Sequence, residues 1–115
     1  MAITEAYAGS ATISTTEISV VSGTSTLQSI TTAGVYQLFL DLSTMVAGDS
    51  FRLRVKEKTQ SSSTQRVAVD VTLSGAQTEP VYITASMVLM NGWDMTLLRV
   101  GGTNRSIEWS IRKVA

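Results

Sequence analysis

The side chains that could do chemistry in this chain are carboxylates, amines, hydroxyls and aromatic rings, because its 115 residues include neither histidine nor cysteine. The commonest general base, the thiol nucleophile and the soft metal ligands are therefore missing. Glu57 and Asp70 could pair as acid and base in a hydrolase, but each reads as a solvent-facing residue beside Lys or Arg. Asp41 and Asp49 flank a loop that also offers Ser43 and Thr44. Calcium needs six to eight oxygens. Two carboxylates at this spacing, outside any calcium-loop pattern, read instead as turn caps. Serine is abundant, yet a Ser nucleophile needs a base, and only Lys56, Lys58 and Lys113 could serve. All three read as exposed. The sequence thus assigns no catalytic residue, no metal ligand and no cofactor, and the chain is expected to be a non-enzyme.

Two further groups could bind. Tyr7, Tyr36, Tyr82, Trp93 and Trp109 could stack on sugars or bases. Trp109 lies between Ile107 and Ile111 in its parity, which places it in a core. Trp93 follows the Asn91-Gly92 turn and could lie at a rim, so a carbohydrate-binding module would rely on Trp93 or Tyr82. The alternation Arg52-x-Arg54-x-Lys56-x-Lys58 sets four cations on one strand face. Such a face can be a solvated guard against edge aggregation. The charge distribution favours a subunit contact: residues 1–50 hold Glu5, Glu17, Asp41 and Asp49 with no Lys or Arg, and all nine basic residues follow. The net charge of zero argues against general nucleic-acid binding, which needs a basic excess.

The elements that must position these groups are strands. Tyr36, Leu38, Leu40 and Leu42 share one parity, as do Phe51, Leu53 and Val55, and Val67, Val69, Val71 and Leu73. Period two sends alternate side chains to opposite faces, so each run predicts a strand with one buried face. Strands are expected at 7–13, 17–21, 26–30, 34–41, 50–58, 65–74, 81–85, 93–100 and 105–114, the short N-terminal ones marginal, and Met87–Met90, without alternation, reads as either a strand buried on both faces or a brief turn packed beneath the sheets. Residues 43–49, with Met45 and Gly48, read as a connection that could hold one helical turn. Gln60–Thr64 and Gly101–Asn104 read as hairpin loops. Eight or nine short strands without an amphipathic helix predict an all-β, two-layer antiparallel sandwich with jelly-roll-like or Greek-key connections.

The length fits a single domain over 1–115, and an apolar share of 43% supports a packed core over disorder. Residues 1–32 are rich in Ser and Thr and read as either a mobile region or an arm or edge strand that pairs with a neighbouring copy. Met1–Glu5 lacks the features of a secretory signal, and no apolar run could span a bilayer. The absence of cysteine fits folding in the cytosol. Without an export signal, Asn104-Arg105-Ser106 reads as a chance match to the glycosylation pattern.

Three segments carry a resemblance: Ala8-Gly9-Ser10-Ala11-Thr12-Ile13-Ser14, Thr32-Ala33-Gly34-Val35-Tyr36-Gln37-Leu38-Phe39-Leu40-Asp41, and Asn91–Leu97 with Arg105–Lys113. They resemble small all-β virion proteins of tailed bacteriophages, most of all head decoration (cement) proteins. The resemblance implies a protein of the capsid surface, assembled in the host cytoplasm, that binds the major capsid protein or other virion proteins. It further implies a homo-oligomer, with a trimer favoured; the zero net charge and the short apolar runs add the expectation of no direct nucleic-acid or membrane partner. A tail or baseplate component is the neighbouring expectation. The resemblance transfers no site residue; Arg52, Arg54, Lys56 and Lys58 remain the expected subunit contact.

Overall fold

The computed structural model describes residues 2–114 and contains nine strands and no helix among them. In chain order they are β1 (Ile3–Ile13), β2 (Ile18–Ser19), β3 (Gly34–Asp41), β4 (Ser50–Glu57), β5 (Arg66–Ser74), β6 (Val81–Ile83), β7 (Met87–Leu89), β8 (Asp94–Gly101) and β9 (Arg105–Val114). One sheet has the order β1-β9-β3-β6, with β7 also paired to β3. The other has the order β2-β8-β4-β5. All pairings are antiparallel. If β6 and β7 are counted as one interrupted edge position, eight positions remain, and the chain passes between the layers in the manner of a jelly roll.

The predicted parity is what closes the sandwich. Tyr36, Leu38 and Leu40 on β3, and Ile107, Trp109 and Ile111 on β9, are buried against Phe51, Leu53 and Val55 of β4 and Met95 and Leu97 of β8. Each fully buried Leu or Ile contributes about 1.5–3 kcal/mol relative to exposure, so this interior supplies most of the driving force. At one end Trp93 is fully buried, with its ring centroid 4.5 Å from Tyr36 and 6.2 Å from Tyr7. Its indole N–H donates to the Thr32 carbonyl at 3.2 Å. Gly9 gives Trp109 its space: a Cβ there would lie 3.1 Å from the indole.

Four expectations need correction. Residues 26–30 make no strand; only an isolated bridge joins Ile30 to Trp93. Residues 43–49 form turns rather than a helical turn. Trp93 lies inside, not at a rim. The Val67–Leu73 run buries only its end: Leu73 is buried, but Val67 and Val69 are 49% and 38% exposed. This strand is the sheet edge, and the β4–β5 register shifts between Val55 and Lys56. The layer opposite offers only the interrupted pair β6 and β7 at its own edge.

The Ser/Thr-rich region splits in two. Residues 3–13 are an edge strand of the chain's own sheet, paired with β9 from Ile3↔Val114 to Ile13↔Arg105. Residues 14–33 then cross to the other layer, where the Ser14 carbonyl accepts from Arg99 N–H at 2.7 Å. Asp94 fastens this crossing. Its buried carboxylate accepts from the Ser19 hydroxyl at 2.6 Å and from the backbone N–H of Gln28 and Met95, each at 2.9 Å. Burial pushes the Asp94 carboxyl up, against those three hydrogen bonds. No helix among the described residues is long and apolar enough to cross a membrane.

Candidate functional site

The two outer sheet faces are the broad surfaces on which the predicted residues meet. On the four-stranded sheet, Arg52, Arg54 and Lys56 project from β4 as their parity predicts. Their register partners are Thr72 and Leu98, Asp70 and Thr96, and Val67 and Asp94, respectively. Arg52 Nε lies 3.0 Å from Asp70 Oδ1, an ion pair rather than an aligned hydrogen bond. Glu17 reaches over from the crossing segment. Its carboxylate lies 3.2 Å from Lys56 Nζ and 3.5 Å from Arg54 Nη1, and accepts from the Thr96 hydroxyl at 2.5 Å. Burial pushes the Glu17 carboxyl up, but Thr96, Lys56 and Arg54 outweigh it and hold the group below its ordinary value. The acidic complement expected from another copy is thus supplied in large part by the same chain. Lys58 sits apart, beyond the end of β4, with its stem against Gly92.

The other predicted sites separate. Glu57 accepts from the backbone N–H of Met90 at 2.7 Å and of Asn91 at 3.2 Å, whereas Asp70 serves Arg52 and Arg54. They form no acid–base pair. Asp41 accepts from Ser43 N–H at 2.9 Å, and its carboxyl is held down by the side chain and backbone of Ser43. Asp49 accepts from Val46 N–H at 2.9 Å, Arg105 Nε at 2.7 Å and Thr103 N–H at 3.1 Å. The Val46 N–H, then Arg105 and the Thr103 N–H, lower its carboxyl to about 2. Gly102 completes that clasp: at φ 80° it is left-handed, and a Cβ would lie 2.6 Å from Asp49 Cα. Glu57, Asp41 and Asp49 therefore cap three different turns, and Asp70 serves the cations of the neighbouring strand. Among the described residues no group of three or more acidic side chains comes together to hold a metal.

Sequence reading missed the outer face of the five-stranded sheet. Its register sets side chains in rows across the strands. One row is Ile3, Val114, Val35 and Val88. The next is Glu5, Arg112 and Gln37, then Ala8, Ser110, Phe39 and Ile83, then Ser10, Glu108, Asp41 and Val81. Ile3 is 72% exposed and Val88 76%, with Val81 and Ile83 at 54% and 50%. The Arg112 guanidinium lies 3.8 Å above the Phe39 ring, a cation–π contact of the exposed kind, which contributes about 0.5–1 kcal/mol. Arg112 Nε also donates to the Ser110 hydroxyl, which donates to Glu5. On one side of Arg112 is a small apolar hollow of about 180 Å³ lined by Ile3, Val35 and Val114. On the other is a shallow groove of about 510 Å³ bordered by Ser10, Asp41, Val81 and Glu108. The signal was present in the sequence as Val35, Phe39, Val81, Ile83 and Val88, but only the register reveals that they share one face.

In comparisons with known proteins, no protein-family model, no curated protein and no solved structure matches the chain.

Proposed function

We propose that this protein is a structural component of a tailed-bacteriophage virion that binds the outer capsid shell and stabilises it by bridging subunits. The outer face of the five-stranded sheet is the docking surface. The observation that carries this reading is the row Ile3, Val114, Val35 and Val88, an apolar line that crosses four strands of the outer face. The solvent side of an antiparallel sheet is ordinarily polar, and contiguous exposed apolar surface marks an interaction site. The choice of partner, the major capsid protein or another virion protein, rests on the resemblance of three segments to head decoration proteins.

A packed sandwich loses little conformational entropy when it docks. Weak contacts repeated by shell symmetry reinforce one another through effective concentration, and a three-fold ring of copies matches a three-fold position on a shell. Binding the assembled shell and not its parts shifts the equilibrium away from disassembly. The neighbouring reading, a tail or baseplate component, uses the same face on another particle. The carbohydrate reading has lost its platform: Trp93 is fully buried, and Tyr82 is half-buried against the core.

The test replaces Ile3 and Val88 by Asp together. Both side chains are exposed, so the variant is expected to fold. Cosedimentation with bare shells should fall by about tenfold or more, and decorated shells should lose their added resistance to heat. Unchanged binding by the double variant would overturn the assignment of this face, and equal heat resistance of bare and decorated shells would overturn the cement role.

A further inference from the structure

A sandwich of two open sheets has four edges, and three of these are blunted. β2 is two residues long. β6 and β7 are three residues each, with Pro80 directly before β6. β5 carries Arg66 and Asp70 and has a register shift against β4 that leaves Ala68 without an opposite residue. Short strands, charges, proline and bulges are the usual protections against edge pairing.

β1 has almost none of them. It runs eleven residues, contains no Lys, Arg or Pro, and carries one charge, Glu5, on the far side of its own irregularity between Glu5 and Tyr7. The stretch Tyr7–Ile13 pairs with β9 without interruption. Among the described residues, no hydrogen bond from another segment closes the opposite side of that stretch, and Ala8, Gly9, Ser10 and Thr12 are exposed. A long row of unpaired backbone donors and acceptors is a template for another strand.

We infer that two copies of this chain join through their β1 edges, antiparallel about a two-fold axis beside Ser10. This register is self-complementary. Tyr7 of one copy falls opposite Ile13 of the other, Gly9 opposite Ala11, Ala8 opposite Thr12, and Ser10 opposite Ser10. Tyr7 and Ile13 are turned into each copy's own core, and the small residues Ala8, Ser10 and Thr12 meet on the outer side, so neither bulk nor charge obstructs the pairing. Glu5 lies outside the paired stretch, so no like charges are set against each other. The five-stranded sheets then form one continuous sheet through the pair. The contact is isologous and closes with two copies; a three-fold ring would use a different surface. The inference concerns the isolated protein and does not depend on the shell reading.

The chain has no cysteine, so one introduced thiol reports a single position. Ser10→Cys places two sulfurs opposite each other on the axis, at a separation a disulfide can span. Under mild oxidation it should form a covalent dimer about tenfold or more faster than Ser62→Cys in the exposed Gln60–Thr64 loop, as expected for a preformed contact. The wild-type protein should show twice the 12.3 kDa monomer mass in sedimentation equilibrium. Ser10→Lys should shift it toward the monomer while remaining folded, because Glu108 stands beside Ser10 in the same chain. A wild-type monomer at high micromolar concentration, or equal cross-linking of the two cysteine variants, would overturn the inference. If Ser10→Cys misfolds, the wild-type mass still decides. Shell binding by a strictly monomeric protein would refute the pair and leave the docking reading intact.

Discussion

The two outer faces of this sandwich handle exposed side chains in opposite ways. On the four-stranded face the charges are dense but answered within the chain: Glu17 faces Arg54 and Lys56, and Asp70 faces Arg52. On the five-stranded face four charges, Glu5, Asp41, Glu108 and Arg112, share the surface with the exposed apolar side chains Ile3, Val81, Ile83 and Val88, which have no such partners. A stripe of four cations attracts attention in a sequence, but in the fold three of them have nearby anions. The apolar face attracts none, because its members come from five strands and lie as much as 111 residues apart, from Ile3 to Val114. A contact surface is better sought where side chains lack partners than where charges are numerous.

Substitutions tell the two faces apart. The largest effect should come from what both faces share. Trp93→Ala empties the end of the core beside Tyr7 and Tyr36 and should cost about 3–5 kcal/mol, read by denaturant unfolding. A loss below 1 kcal/mol would mean that the two layers do not depend on that end for closure.

Acid should act next, through the loops that join the layers. Asp49 in the β3–β4 connection grips Arg105 and Thr103 beyond β8. Its folded-state value, about 2, is below its ordinary 3.8. A depressed carboxyl contributes stability that is fully present above its unfolded value and is lost as pH falls through the folded one. The midpoint of thermal unfolding should therefore drop between about pH 4 and pH 2. Asp49→Asn should be less stable at pH 7 and show a shallower drop, and parallel curves for the two proteins would show that the clasp contributes nothing.

The smallest effects separate the two kinds of charge on the four-stranded face. Glu17→Gln leaves Arg54 and Lys56 half-buried with a weaker partner and should cost about 1 kcal/mol. Arg52→Ser removes an exposed pair and should change stability by no more than about 0.5 kcal/mol. If Arg52→Ser together with Arg54→Ser weakens self-association and its salt dependence, while the monomer stays folded, the cationic stripe is a subunit contact despite its internal partners.

Much of the architecture was legible because it depends on parity. Gly34–Asp41 and Arg105–Val114 were bounded as the structure has them, and Tyr36, Leu38, Leu40, Ile107, Trp109 and Ile111 face inward as period two requires. The failures have one cause: a local pattern carries no information about what lies opposite. Val67 and Val69 alternate as well as any core strand, but the layer above them is interrupted. Residues 26–30 have β-favouring composition but no neighbouring strand beyond one bridge, and Asp94 and Trp93 tie them down instead. Trp93 follows a turn, a position that suggests exposure, but Ile30, Thr32, Tyr7 and Tyr36 enclose it. The apolar docking face needed the register of five strands.

The pairing of Ile3 with Val114 has a consequence for how the protein is made. The first strand stays without its neighbour until the ribosome has released the last strand, roughly 100 residues later. At typical synthesis rates of about 5–20 residues per second that is a wait of about 5–20 s. During this time the least guarded strand of the molecule is available to any passing nascent chain. A circular permutant that joins the two ends and opens between residues 60 and 64 would make β1 and β9 as neighbours, and it should reach the folded state with less aggregation during expression.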